Sequence, residues 1–280
     1  MDRPDPCAEL LAAHFAGGRH LTIGLDPDPG RIPASISPAA PAAERVIAFN
    51  RGIVEATADL ACAYKPNSAF YEALGEDGFH ALEETIAAIR AAAPDALVIL
   101  DAKRADIGST NAGYVAAAFD RLGADAITVH PYLGGEALAP FLARADKLVF
   151  VLARTSNPGA GELQDLVTDD GLPLYRHVAR AVAGGWNAAG NCGLVVGATY
   201  PEEMRAVRED VPAGMPILVP GVGAQGGDVA AVVAANRDAG SDAFIIAASR
   251  SILYASSGED FAEAARTAAQ ALDAEIRRAG

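Results

Sequence analysis

Val98-Ile99-Leu100-Asp101-Ala102-Lys103-Arg104-Ala105-Asp106-Ile107 is an apolar run that stops abruptly in closely spaced ionisable groups. The apolar part reads as a buried strand of a parallel sheet. Asp101 and Lys103 are two apart, so an extended backbone points both side chains the same way. Asp106 follows after the strand should have ended. A carboxylate and an ammonium at the end of a buried strand are costly unless paired and hydrogen-bonded. An ion pair tying strand to loop is one reading of them. The third charge so close by favours an acid/base array at the carboxyl edge of the sheet, where α/β folds keep their chemistry.

The pattern repeats on both sides of this stretch. Leu21–Asp26 and Cys62–Pro66 precede it as strands, ending in an acid and near a lysine. After it come Ala126–His130, Leu148–Ala153, Cys192–Gly197, Pro216–Pro220 and Ala243–Ala247. Helical spacing fills the gaps: Glu44 to Leu60, then Phe79, Leu82, Ile86 and Ile89, then Asn111 to Leu122 with Gly123 as its stop, and Gly135 to Ala143. Eight apolar strands alternating with helices predict one (β/α)8 TIM barrel spanning 1–280, entered through a short helix over 8–16. A longer connection, 157–191, should hold an extra loop and a helix around Leu174 to Trp186.

Composition agrees with that fold. The chain has 280 residues, 51% hydrophobic and only 6% aromatic, which suits Ala-rich helices over Val/Ile/Leu strands. A net charge of −14 argues against a nucleic-acid partner, which would demand a basic face. No stretch approaches the roughly 20 apolar residues of a membrane span, and no targeting segment is evident, so a cytoplasmic protein without a membrane partner is expected. Cys7, Cys62 and Cys192 are odd in number and lack metal-ligand spacing, and read as reduced, buried thiols.

The strand ends collect Asp26, Lys65, Asp101, Lys103, His130, Thr155, Ser156, Gln225, Ser249 and Arg250, which a barrel brings to one face. Taken singly, Asp26 before Pro27 can be a turn residue and Lys65 can reach solvent along its stem. His130, before a proline, is read as structural. Two lysines and two carboxylates meeting at one mouth favour chemistry. Pro220-Gly221-Val222-Gly223-Ala224-Gln225-Gly226-Gly227-Asp228 offers bare backbone N–H groups to an anion, and Arg250 follows the eighth strand. The loops after strands seven and eight are the usual phosphate site of this fold. No metal set and no dinucleotide fingerprint is present, so no metal or cofactor is expected and side chains alone must act.

These residues resemble a known family. Asp101-Ala102-Lys103-Arg104-Ala105-Asp106-Ile107 is similar to the D-x-K-x-x-D-I signature of the orotidine 5′-phosphate decarboxylases, in wording closest to their longer bacterial (type 2) subfamily. The likeness extends to Asp26, Lys65, Ser156-Asn157-Pro158-Gly159, the Gln225 turn and Arg250; Ala105 departs from the glycine common there. The resemblance implies cofactor-free loss of carbon dioxide from orotidine 5′-monophosphate, giving uridine 5′-monophosphate in the last step of pyrimidine nucleotide synthesis. It implies that Lys103 protonates the carbon that loses carbon dioxide, with Asp101 beside the substrate carboxylate. Lys65 would bind the ribose and brace Asp101. Asp26 would contact the ribosyl group, Ser156 the pyrimidine, and Gln225 and Arg250 the phosphate. Asp106, Ile107 and Thr110 would enter the site of the other subunit of a homodimer. The alternatives are a sister sugar-phosphate decarboxylase, which wants an acidic metal ligand where Lys65 stands, a Schiff-base aldolase, and a non-catalytic phosphosugar-binding barrel.

Overall fold

The structure, a computed structural model, describes residues 6–222 and 226–280. Eight parallel strands pair in chain order: β1 (Leu21–Leu25), β2 (Ala63–Pro66), β3 (Leu97–Arg104), β4 (Ala126–Val129), β5 (Leu148–Arg154), β6 (Cys192–Val196), β7 (Ile217–Pro220) and β8 (Phe244–Ala248). β8 pairs back onto β1, with Leu21 opposite Ile246, and closes the barrel. The predicted TIM barrel is the observed fold.

The strands are apolar throughout because both of their faces are covered. Along β3 the residues alternate between two layers. Leu97 and Ile99 point into the barrel with Ala126, Phe150, Leu218 and Ile245, while Val98 and Leu100 face the surrounding helices. The N-terminal helix Cys7–Ala16 belongs to the inner layer, for its Cys7 and Leu11 pack against the barrel interior. The His14 ring lies 2.8 Å from the Asp95 carbonyl, and the Cys7 amide donates to the Asp146 carbonyl at 3.2 Å. The helix therefore stoppers the amino end of the barrel, and the chemistry is left to the opposite end.

Several elements differ from the sequence reading. A short helix, Ser68–Glu72, capped by the Asn67 side chain, follows β2 before the expected helix through Phe79 to Ile89, which spans Glu76–Ala92. Phe79 is 44% exposed and lies off the core face, which is formed by Ala81, Leu82, Ile86 and Ile89. The helix expected over 111–122 starts at Gly108 and passes at Ala116–Arg121 into a wider π-helical turn, whose last amide, on Leu122, donates to the Ala117 carbonyl. The 157–191 connection does hold the helix expected around Leu174 to Trp186, as Leu174–Ala181 running into a π-helical turn (Val182–Trp186), and adds a 3-10 turn (Pro158–Ala160) and a short helix (Gly161–Gln164) before it. It is tied at both ends: the Arg154 guanidinium grips Asp165 at 2.8 Å, and Arg176 and Arg180 both bind the buried Asp210.

Below the barrel, His20 is buried between the rings of Phe15 and Phe244, its Nδ1 3.0 Å from the Phe244 carbonyl. Burial lowers its pKa from the ordinary value of 6.5, with the Phe244 carbonyl and Asp242 opposing and Arg237 and Arg277 adding to the effect. The unfolded chain then takes up this proton at higher pH than the folded one, so acidification below about 6.5 favours unfolding. Urea unfolding should show stability that is constant in this respect above that pH and falls beneath it. His20→Phe, which keeps the stack, should flatten that fall; an unchanged slope would refute the assignment.

Candidate active site

The decisive local feature is a break in the β3–β4 ladder. Leu100 lies opposite Ile127, but the next pairing is Arg104 with Val129. Four steps on β3 thus match two on β4, and Asp101, Ala102 and Lys103 bulge away from β4, while Asp101 still bridges to Asn67 on the β2 side. Lys103 takes a left-handed backbone with φ +47°, a conformation that costs a non-glycine residue roughly 1–3 kcal/mol and is retained where the surroundings enforce it. Simple alternation along a strand foresaw the meeting of Asp101 and Lys103; the bulge is what produces it.

At the bulge the Asp101 carboxylate lies between two ammonium groups. Oδ2 accepts from Lys65 Nζ at 2.8 Å, and Oδ1 accepts from Lys103 Nζ at 2.5 Å and from the Thr128 hydroxyl at 2.8 Å. Lys65 and Asp101 are buried, whereas about half of the Lys103 side chain (47%) is open to the cleft. Burial works to raise Asp101, but the attraction and hydrogen bonds of Lys65 and Lys103 outweigh it and hold the carboxyl well below the usual carboxylate range. Burial likewise opposes the charge on Lys65; Asp101 and Asp26 overcome it and raise that ammonium above its ordinary value. The Asp26 carboxylate accepts from the Asn67 amide at 3.2 Å.

This array forms one wall of a cleft of about 760 Å3 at the carboxyl ends of the strands. Asp26, Lys65, Asp101, Lys103, Thr155, Ser156, Ser249 and Arg250 all line it, as the sequence reading expected. Two glycines allow the loops to come so close. A Cβ on Gly24 would lie 1.8 Å from Ser249 Oγ, and one on Gly197 would lie 2.7 Å from Ser156 Cβ. Asp28, Arg31, Asn67, Thr128, Gln164 and Tyr254 also line the cleft and were not singled out. Thr128 sits inside a strand that reads as plain apolar sequence, and Gln164 lies in the connection with the weakest pattern.

Asp106, Ile107 and Thr110 do not line this cleft. Ile107 is 60% exposed, and the Asp106 backbone is clamped by the buried Asn111, which accepts from its amide at 2.9 Å and donates to its carbonyl at 2.6 Å. His130 also stays out of the cleft; its Nδ1 accepts from the Tyr132 amide at 3.3 Å, which suits the structural role expected. Gln225, with Gly223 and Ala224, lies outside the described residues. Among the described residues no group of three or more His, Cys, Asp or Glu side chains is arranged to hold a metal ion.

Residues 20–267 match the model of the orotidine 5′-phosphate decarboxylase / HUMPS family. The chain belongs to that family. A Herpetosiphon aurantiacus protein named orotidine 5′-phosphate decarboxylase is 56% identical over 263 residues, covering 94% of each chain. A Cellvibrio japonicus protein of the same name is 52% identical over 96% of each. Among solved structures, the Leishmania donovani OMP decarboxylase superposes with a TM-score of 0.84 at 38% identity over 98% of both chains. The Leishmania donovani UMP synthase superposes with a TM-score of 0.83 at 40% identity; 96% of this chain is matched, but it spans only 55% of that longer one.

Because Lys65 and Asp101 are buried together, removing one leaves the other charge stranded. Asp101→Ala should destabilise the fold by roughly 3–5 kcal/mol in urea unfolding, toward the lower end because Asp26 remains near Lys65. A loss below about 1 kcal/mol, the scale of an exposed pair, would show that the carboxylate does not neutralise Lys65.

Proposed function

We propose that the chain removes carbon dioxide from orotidine 5′-monophosphate to give uridine 5′-monophosphate, using side chains alone. The observation that carries this reading is the Lys65–Asp101–Lys103 array on the wall of a cleft that Arg250 also lines. Relatives named for this reaction, similar along nearly the whole chain, support it.

The chemistry follows from the charges. Loss of carbon dioxide leaves an electron pair on a ring carbon with little delocalisation, so the site must favour negative charge there over charge on the departing carboxylate. Asp101 opposes the substrate carboxylate, while Lys103 stabilises the developing carbanion and delivers its proton to that carbon. Lys65 keeps Asp101 ionised and in place, and binds the ribose together with Asp26. Ser156 holds the pyrimidine. Gln225 and Arg250 take the phosphate, whose binding energy, remote from the reacting carbon, is used to exclude water and orient the ring. Lysine at the end of β2, where a sister metal-dependent decarboxylase wants an acid, supports this substrate over a sugar phosphate.

The site is completed by a second copy. Asp106 and Ile107 on a braced loop, and Thr110 in the first turn of the helix after it, do not line their own cleft, an arrangement suited to reaching the cleft of a partner in a homodimer. A cytoplasmic enzyme is the natural setting; among the described residues no helix is long and apolar enough to cross a membrane.

The test is the ultraviolet loss of orotidine 5′-monophosphate with chelator and no added cofactor. Lys103→Ala should abolish turnover while largely sparing the affinity for uridine 5′-monophosphate, and near-normal turnover would refute its role. Mixing inactive Lys103→Ala and Asp106→Ala subunits should recover up to about a quarter of wild-type activity, because one hybrid site per mixed dimer has both residues intact. No recovery from demonstrated mixed dimers would mean that the site is not shared.

A further inference from the structure

We infer that Thr128 is a positioning residue for Lys103, acting through one hydroxyl that binds the Asp101 carboxylate and the Lys103 backbone amide together. The inference rests on the reading of Lys103 as the proton donor.

Thr128 lies on β4 between Ile127 and Val129, the two residues that bracket the β3 bulge, and so faces the three bulged residues alone. Its Oγ1 accepts from the Lys103 amide at 3.0 Å and donates to Asp101 Oδ1 at 2.8 Å. The direction of both bonds is forced. The carboxylate can only accept and the amide can only donate, so the single hydroxyl proton is committed to Asp101. Lys103 is thereby held at two points. Its main chain is fixed by Thr128, and its ammonium is fixed by Asp101 Oδ1, the oxygen that Thr128 also holds.

The arrangement answers a question that the bulge raises. A left-handed lysine has no intrinsic reason to stay so, and β4 offers its amide no ladder carbonyl at that level. Thr128 is 1% exposed, so water is poorly placed to take over its bonds. Valine in its place would keep the shape while leaving the Lys103 amide and one Asp101 lone pair without this partner. The lysine would then be free to relax its backbone, carrying Nζ away from the reacting carbon, and small misplacements of a reacting group are costly to rate.

Thr128→Val should therefore lower kcat roughly 10- to 100-fold while changing the affinity for uridine 5′-monophosphate by less than about threefold. Thr128→Ser, which restores the hydroxyl, should recover kcat to within about threefold of wild type. If the valine variant does not fold, Thr128→Ala against Thr128→Ser differs by the hydroxyl alone and carries the same comparison. Hydrogen exchange at the Lys103 amide gives a readout that needs no substrate: slow in wild type and the serine variant, faster in the variant without hydroxyl. Unchanged kcat in that variant, failure of serine to rescue, or equal exchange in all three would overturn the inference. A wild-type protein that leaves orotidine 5′-monophosphate intact would instead overturn the proposed function, and the exchange comparison would still decide the role of Thr128.

Discussion

One carboxylate shared by two ammonium groups is the interaction on which the site depends. Asp101 and Lys65 are buried at a barrel rim, where either charge alone would be strongly unfavourable, so each is the condition for the other. The second oxygen of Asp101 is shared between Thr128 on β4 and Lys103 on the cleft side. Lys103 reaches it from a backbone that has left the regular β4 ladder, at the bulge between Leu100 and Arg104. Local strain, burial and pairing are thus one arrangement seen at three scales, and a lysine with half its side chain open to a ligand is its result.

The rest of the cleft is assembled around that fixed wall by close approach. Strand neighbours set the order of the loops, and because β8 returns to β1, the loops carrying Asp26 and Arg250 lie side by side. Glycine at 24 lets Ser249 come against β1, while Arg31 stacks its guanidinium 3.7 Å from the Tyr254 ring and links the same two loops. Arg31, Lys65, Lys103 and Arg250 line the cleft against Asp26, Asp28 and Asp101, a small local excess of positive charge in a chain whose net charge is −14.

The barrel was legible because its signal is redundant: eight apolar runs alternating with helical spacing outweigh any error at a single boundary. The charged members of the site were legible for a related reason, since an ion at the end of a buried strand needs an explanation. Thr128 was not, because a threonine inside a strand is ordinary β sequence and only the register of its neighbour gives it a task. Phe79 misled in the opposite sense: it keeps the helical spacing of Leu82 and Ile86, yet its own face of the helix is left half open. The short helix Ser68–Glu72 was missed and the helix after β3 was started three residues late, because a cap made by the Asn67 side chain and a wider turn at Ala116–Arg121 leave no mark on apolar spacing.

The helix under the barrel carries a consequence for traffic. With Cys7 and Leu11 wedged against an interior already filled by Phe150, Leu218 and Ile245, the described residues close the amino end of the lumen. Nucleotide, released gas and finished nucleotide must all use one doorway. The small apolar molecule then leaves by the same opening as the larger nucleotide, so the order of departure is decided at that opening alone.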